Sequence, residues 1–258
     1  MIPTRIPGSL PCRQALAWLA LLLPACSAGK LDVVGLEPNT LALGLVAHWP
    51  CDAEGGSALV DSSGNGHDGA LSGVTWVGGQ FGGALHFDAA GAVTVPSFPQ
   101  AQSNFSVALW YRAPVGDYGD AHLPLVGNQS GNAGGWEMSV TLSPADNQYR
   151  FGYPMGGDGG GAHEHINSTS VDVDTWVHLA AVVDSHAMRL SFYKNGELLG
   201  ESALSYLIQP GADALAFGWE ATSRRYLVGD LDDVVIWNRA LVQAELRELC
   251  AQPAPDPR

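Results

Sequence analysis

The sequence predicts an all-β protein, a two-sheet antiparallel jelly-roll sandwich with one short C-terminal helix. Only 15% of the 258 residues are charged and 32 are glycine, a composition typical of many short strands joined by turns. Ten or more short apolar runs follow one another at regular spacing, each bounded by turn residues. Helical spacing occurs only near the C-terminus, at 242–250, where Leu246 and Leu249 recur on one side.

Several of these runs predict individual strands. The first, Leu45–Trp49, is apolar and ends at Pro50. Phe105–Arg112 shows an alternation of period two, which indicates a strand with one buried face. Trp176–Asp184 is a long apolar strand. Further along, the Asn-Gly dipeptide at 195–196 separates two strand-like runs and predicts a tight hairpin.

The loop 61–69 has the sequence Asp-Ser-Ser-Gly-Asn-Gly-His-Asp-Gly, which is the segment of the chain richest in turn-forming and oxygen-bearing residues. Glycine and asparagine suit a backbone with positive φ, and aspartate and serine bond to their own chain, so the segment is neither a helix nor a regular strand. Its carboxylates, amide oxygen and freed carbonyls suit a hard cation such as Ca²⁺. The alternative is a solvated hairpin loop without a metal.

Charge excludes one class of partner. The formal net charge is −14 at pH 7. An acidic balance of this size argues against nucleic acid as a ligand, and it also opposes adsorption to anionic membrane surfaces. Any association with a membrane therefore requires an inserted or covalent anchor.

The N-terminus offers such an anchor. Arg5 and Arg13 precede a short apolar run, Ala15–Leu23, which is too short to span a bilayer. The following Leu-Pro-Ala-Cys, ending at Cys26, resembles the bacterial lipoprotein cleavage box. We therefore expect residues 1–25 to be a lipoprotein signal peptide, Cys26 to carry lipid, and residues 26–44 to be a tether. The mature protein would be exported and anchored to the cell envelope, in the outer membrane. The alternative is an ordinary signal peptide with an incidental cysteine.

Two cysteines remain once Cys12 leaves with the signal peptide and Cys26 takes lipid. In an exported chain, Cys51 and Cys250 most simply form a disulfide, and this is the prediction. The alternative is a pair of free buried thiols.

Seven segments, in this order, resemble the laminin G-like domain of the concanavalin A-like lectin and glucanase superfamily, in its common bacterial form. The resemblance covers about residues 45–250 and leaves 251–258 as a proline-rich tail. The segments are Leu45–Trp49, Asp61–Gly66, Gly82–Asp88, Phe105–Trp110, Trp176–Val182, Tyr193–Glu197 and Gly229–Leu241.

The resemblance implies a module that binds carbohydrate or a cell-surface protein, with a structural calcium. Folding would bring the acidic residues of the loop 61–69 close to those near the C-terminal end of the domain, and like charges brought together are costly unless a cation lies among them. The candidate calcium ligands are Asp52, Asp61, Asn65, Asp68, Asp232 and Asp233.

Catalysis is not expected. The chain has no Glu-x-Asp-x-x-Glu run of paired carboxylates and no Gly-x-Ser-x-Gly nucleophile elbow. Two alternatives stay open: a polysaccharide-active enzyme of the same superfamily and a purely structural envelope or adhesion protein. His163-Glu164-His165 is interpreted as a solvated loop, since two imidazoles are a thin ligand set for zinc. No ligand-binding residue is predicted, although five aromatic side chains are candidates for stacking on sugar rings: Trp110, Trp136, Tyr153, Trp219 and Tyr226.

Overall fold

A computed structural model describes residues 40–53, 55–96, 98–99, 104–116, 121–129, 134–142, 147–154, 163–167, 170–220 and 224–254. The predicted signal peptide and the predicted lipid attachment at Cys26 lie outside these residues. In the part of the chain that is described, no helix has the length and apolar character needed to cross a membrane.

The predicted all-β sandwich with one C-terminal helix is confirmed. A short 3₁₀ helix, Thr40–Ala42, precedes the strands, and helix α1, Gln243–Ala251, follows them. The strands are β1 (Leu45–Trp49), β2 (Ala58–Leu59), β3 (Gly69–Ser72), β4 (Thr75–Gly78), β5 (Gly83–Asp88), β6 (Ala92–Val95), β7 (Phe105–Arg112), β8 (Ala121–Gly127), β9 (Glu137–Leu142), β10 (Gln148–Pro154), β11 (His163–Asn167), β12 (Trp176–Asp184), β13 (Arg189–Lys194), β14 (Glu197–Ala203), β15 (Leu215–Phe217), β16 (Trp219–Glu220), β17 (Arg225–Tyr226) and β18 (Val228–Trp237).

Two large antiparallel sheets contain most of these strands. The first sheet has the order β14-β13-β12-β7-β18-β5-β4, and β1 also pairs with β18. The second sheet has the order β11-β10-β9-β8-β15-β6-β3-β2. Strands β16 and β17 form a separate two-stranded ribbon. The three residues His163-Glu164-His165, interpreted from the sequence as a solvated loop, therefore belong to a strand, β11, at one end of the order of the second sheet.

The longest strand, β18, organises the first sheet. One side of it pairs with β7. The other side pairs with β5 along Val228–Leu231 and then with β1 along Val234–Trp237. A bulge between Asp232 and Val235 separates these two halves, and Asp233 within it has a φ of 49°. The bulge changes the direction of the side chains of Asp232 and Asp233, where β18 passes from its pairing with β5 to its pairing with β1.

The main core lies between the two sheets, as the alternation on β7 predicts. Val107 and Leu109 are fully buried in this core. Ala108, between them, packs on the opposite side of the first sheet in a second apolar cluster that includes Leu246 of α1. The helix thus covers part of the outer face of the first sheet, the face that points away from the second sheet.

Hydrogen bonds extend the folded domain beyond the predicted limits 45–250. The indole of Trp237 donates to the carbonyl of Leu41 at 2.7 Å, and the amide of Ala254 donates to Asp233 Oδ2 at 3.0 Å. Leu41 and Ala254 are both buried. The predicted hairpin at 195–196 is also present, and both residues have positive φ, as a type I′ turn requires.

The predicted disulfide is wrong: Cys51 and Cys250 are both free thiols. Cys51 lies in the core between the sheets, whereas Cys250 lies on α1, outside the first sheet. The chain ends do meet, as expected, but the two thiols lie on opposite sides of one sheet. Burial raises the pKa of the Cys51 thiol well above its ordinary value, and the carboxylates of Asp232 and Asp233 add to this shift. The thiol is therefore protonated and unreactive.

Candidate functional site

The first group of predicted calcium ligands lies in the loop 61–69, and hydrogen bonds to protein groups occupy it. Asp61 Oδ1 accepts from the amides of His48 (3.0 Å) and Ser63 (2.9 Å). Asp61 Oδ2 accepts from the Ser63 hydroxyl and the His67 amide, both at 2.9 Å. Asp68 Oδ1 accepts from the Asp61 amide at 2.8 Å. The amide group of Asn65 donates to the carbonyls of Leu45 and Val46.

These hydrogen bonds change the pKa of the Asp61 carboxyl group. Burial alone would raise the pKa of its carboxyl group, but the hydrogen bonds from His48, His67 and Ser63 outweigh burial and lower the pKa below its ordinary value. The carboxylate is charged at neutral pH and is stabilised by amide and hydroxyl donors. It holds the loop against β1.

The second group of predicted ligands lies at the bulge of β18. Asp232 Oδ2 accepts from the amide of Phe81, and Asp52 Oδ1 accepts from the amide of Gly83, both at 2.9 Å. Both contacts fix the turn before β5. That turn needs glycine, because Gly82 has a φ of +62° and a Cβ atom there would lie 2.1 Å from Asp52 Oδ1.

His48 connects the two groups. Its Nε2 atom lies 2.6 Å from Asp233 Oδ1, and its Nδ1 atom lies 2.8 Å from Ser62 Oγ. This Ser-His-Asp chain has the order of a hydrolytic triad, a feature that sequence reasoning missed. Ser62, His48 and Asp233 are only 3%, 2% and 4% exposed, however, so a substrate has no access to the serine. The chain is a structural link between β1, the loop and β18.

The six predicted ligands therefore do not fit a single calcium site. They form two groups joined through an imidazole, and each of the six bonds to backbone amides or carbonyls. Among the described residues, no group of three or more histidine, cysteine, aspartate or glutamate side chains could hold a metal ion. Calcium stays a prediction, without a ligand set in this part of the chain.

A buried polar row crosses the outer face of the first sheet. Trp110 on β7 is the register partner of Asp232 on one side and of His178 on the other. Asp232 Oδ1, Trp110 Nε1 and His178 Nδ1 are buried without a hydrogen-bond partner. Burial raises the pKa of Asp232 to about 8, helped by the charges of Asp233 and Asp52, and it lowers the pKa of His178 to about 4. Both side chains are therefore neutral at pH 7.

A pocket of about 140 Å³ lies on the outer face of the second sheet. Its floor is made by β6, β8 and β15, where Thr94, Pro124 and Ala216 alternate with core residues that point the other way. Its polar and aromatic lining consists of Asn128, Gln129, Glu137, Asp213, Trp219 and Glu220.

The pocket combines an aromatic side chain with hydrogen-bonding groups. Trp219 is partly exposed, and its indole nitrogen is buried without a hydrogen-bond partner. Glu137 Oε1 lies 2.5 Å from Nε2 of His122 on the neighbouring strand. An indole face beside carboxylates and amides suits a ring that is apolar on its faces and carries hydroxyl groups at its edge.

Of the five aromatic candidates, only Trp219 lines this pocket. Trp110, Trp136 and Tyr153 are buried, with 5% exposure or less. Tyr226 is half-buried and pairs with Trp219 across the β16–β17 ribbon. Sequence reasoning missed the polar lining, although the alternation of Glu137 with the core residue Met138 already places this glutamate on the outer face.

The profile of the concanavalin A-like lectin/glucanases superfamily matches residues 87–247 of this chain. The chain belongs to this superfamily. The match runs from β5 into α1, and it includes the pocket residues from Thr94 onward and the bulge of β18. No curated protein matches the chain.

Solved structures share the superfamily fold at low identity. The binding domain of Paraclostridial Mosquitocidal Protein 1 is 19% identical at a TM-score of 0.62, covering 81% of this chain and 52% of that one. Domain 4 of AbnA, a GH43 extracellular arabinanase from Geobacillus stearothermophilus in complex with arabinotriose, is 18% identical at 0.60, covering 80% and 98%. The binding domain of botulinum neurotoxin DC in complex with rat synaptotagmin II is 14% identical at 0.60, covering 82% and 52%. The chain thus spans about half the length of the toxin binding domains.

Proposed function

We propose that this protein is a non-catalytic, exported lipoprotein whose jelly-roll domain binds carbohydrate in the pocket of the second sheet. The observation that carries the proposal is Trp219, which lines the pocket beside Asn128, Glu137 and Glu220. Aromatic faces pack on the apolar faces of sugar rings, and carboxylates and amides accept and donate hydrogen bonds at the ring hydroxyls. The arabinotriose complex of the arabinanase domain supports this ligand class, since that domain has the same fold.

Calcium is not part of this proposal, because the carboxylate of Asp61 is occupied by four hydrogen bonds.

Lipid anchoring is part of the proposed function, and this part rests on the sequence around Cys26. Mass spectrometry of the protein from membranes of a bacterial host tests the anchor: acyl chains on Cys26 are expected, and an unmodified mature N-terminus at another residue would refute it.

A glycan array probed with the full chain in mild detergent tests the ligand class. Binding to at least one family of glycans is expected, with weakened binding for Trp219→Ala. Trp176→Ala is the matched control, because Trp176 is a partly exposed tryptophan of the first sheet that stacks on Arg112. Absence of glycan binding, together with crosslinks to neighbouring proteins, would favour the purely structural envelope protein instead.

One observation favours a second candidate function. Glu137 and Glu220 line the same pocket, and glycoside hydrolases use a pair of carboxylates on either side of the scissile bond. A polysaccharide-active enzyme would release reducing sugar from the glycans that bind, and Glu137→Gln or Glu220→Gln would abolish turnover while binding persists. We expect no turnover, and turnover removed by either substitution would replace the binding module by the enzyme.

A further inference from the structure

An exposed apolar patch, formed by residues 40–44 and 238–245, lies where the described domain begins. Leu43 follows the 3₁₀ helix and is 59% exposed, and Val242 at the N-cap of α1 is 61% exposed. Arg239 joins the two segments, because its guanidinium donates to the Leu43 carbonyl at 2.6 Å and to both carboxylate oxygens of Glu245 at 2.7 and 2.8 Å. Glu245 in turn accepts from the Val242 amide at 3.0 Å. The backbones that carry the two apolar side chains are therefore fixed relative to each other.

The patch carries no net charge. It contains one arginine and one glutamate, Arg239 and Glu245, and these two pair with each other. The whole chain has a formal net charge of −14, which opposes contact with anionic lipids. The patch lacks that property and exposes two large apolar side chains, so it suits contact with a lipid surface.

The patch also lies beside the point at which the chain arrives from the proposed lipid anchor. Residues 27–39 separate Cys26 from Thr40, and the Thr40 carbonyl accepts from Arg239 at 2.6 Å. A segment of this length spans at most about 50 Å when it is fully extended, so Thr40 stays within that distance of an acylated Cys26. Contact between the patch and the bilayer is then an intramolecular event, for which a small apolar area is sufficient.

The patch and the pocket lie on opposite sides of the sandwich. Leu41 and α1 pack in the apolar cluster on the outer face of the first sheet. The pocket lies on the outer face of the second sheet. Both sheets therefore separate the pocket from a membrane that touches the patch.

We propose that this patch rests on the bilayer that holds the lipid of Cys26, with Leu43 and Val242 inserted among the lipid headgroups, and that this contact directs the pocket away from the membrane. The inference rests on the lipid anchor of the proposed function, and it adds the orientation of the domain. Apolar side chains gain free energy by leaving water at the interface, and the uncharged patch avoids the repulsion that the acidic remainder of the surface meets.

Contact quenching tests the proposal on the acylated full chain, reconstituted at low density into vesicles of phosphatidylethanolamine and phosphatidylglycerol. The vesicles contain a lipid with a nitroxide on its headgroup, which quenches a fluorophore on contact. A small fluorophore is attached to Leu43→Cys or to Val242→Cys. Cys250→Ser removes the other thiol that the label could reach, since Cys51 is buried.

Tyr206→Cys is the matched control position. Tyr206 is 60% exposed and follows the end of β14 at Ala203, whereas Glu197 at the other end of β14 contacts α1. We expect the nitroxide lipid to lower the emission of the labels at Leu43 and Val242 by at least about twofold, and to leave the label at Tyr206 unchanged.

A charge placed in the patch should break the contact. Leu43→Asp should abolish quenching of the label at Val242→Cys, because an ionised carboxylate opposes entry into the lipid interface. Tyr206→Asp is the matched variant and should leave that quenching unchanged. Raising the ionic strength should not release the label, since salt screens the repulsion from phosphatidylglycerol and leaves the apolar contact intact. Release by salt would assign the contact to charge and overturn the inference.

The remaining outcomes separate this inference from the proposed function. Equal emission with and without the nitroxide lipid at all three positions overturns the inference and leaves the lipid anchor and the pocket intact. Labels that the lipid does not quench, but whose emission shifts as protein density rises, would identify a second copy of the chain as the occupant and would overturn it too. If mass spectrometry finds no acyl chain on Cys26, the anchor in the proposed function fails and this inference fails with it.

Discussion

Both sheets carry buried carboxylates on their outer sides, but the two regions use them differently. At the bulge of the first sheet and in the loop 61–69, Asp61, Asp232 and Asp233 accept hydrogen bonds from backbone amides and from a buried histidine. At the outer face of the second sheet, Glu137 of β9 and Glu220 of the β16–β17 ribbon line a pocket instead. Acidic residues that look alike in the sequence thus divide into a group that accepts hydrogen bonds from the backbone around the bulge and a group that lines a pocket.

Replacing Asp61 should have the largest effect on stability. Asp61→Ala removes the acceptor of four hydrogen bonds and leaves the buried amide of His48 without a partner. We expect the free energy of unfolding to fall by about 4 kcal/mol, since hydrogen bonds to charged groups contribute about 1.5–3 kcal/mol each and are not additive. Urea unfolding monitored by tryptophan fluorescence measures this change.

The comparison variant for Asp61→Ala is Asp213→Ala in the pocket, which should change the free energy of unfolding by less than about 1 kcal/mol. Similar losses for the two variants would contradict the division between the two regions.

Low pH should have the same effect on stability as Asp61→Ala. The folded-state pKa of Asp61 lies below its unfolded value, so the stability that its charge provides is present above about pH 4 and is lost as pH falls.

The titration of Asp232 should make the stability of the protein depend on pH. Its pKa is about 8 in the folded protein, mainly because of burial, and about 4 in an unfolded chain. The contribution of this group to stability is therefore complete below about pH 4 and is lost progressively as pH rises to about 8, with a slope of at most about 1.4 kcal/mol per pH unit. Asp232→Asn, which mimics the neutral acid, should remove this slope.

Denaturation series between pH 4 and pH 8 compare Asp232→Asn with the unchanged protein. If the difference in stability between the two proteins stays constant across this range, Asp232 is not protonated in the folded state. Glu220→Gln, at the pocket beside the second sheet, is the corresponding control.

Chelation should have the smallest effect. Because the six predicted ligands bond to the backbone, we expect EDTA to leave the melting temperature within about 1 °C of its value in excess calcium chloride, since no ligand stabilises the folded state through them. A larger decrease on chelation that Asp61→Ala abolishes would restore the calcium hypothesis for the loop. Differential scanning calorimetry of the full chain in detergent provides both values.

Much of the fold could be predicted from the sequence, because local patterns determine it. The alternation along Phe105–Arg112 predicts which residues enter the core, and the Asn-Gly dipeptide at 195–196 predicts its turn. The importance of Asp61 could be predicted too, since its loop excludes regular structure. Its role could not, because the same oxygens suit a cation or a set of amides, and only the fold brings His48 beside it.

The site was harder to predict than the fold. Pocket residues come from strands as far apart in sequence as β6 and β16, and no local motif connects Thr94 with Trp219. The disulfide prediction failed for a related reason. Counting cysteines shows that two remain, but only the packing of α1 outside the first sheet shows that Cys250 and the core residue Cys51 lie on opposite sides.

The most direct test of the central claim is the affinity of the Trp219→Ala variant for the glycan that binds most strongly on the array. If the pocket of the second sheet is the binding site, isothermal titration should show a loss of at least about tenfold, because truncating an aromatic anchor of an interface costs about 2 kcal/mol or more. Trp176→Ala should bind as the unchanged protein does. Unchanged affinity in Trp219→Ala, or an equal loss in both variants, would contradict the account.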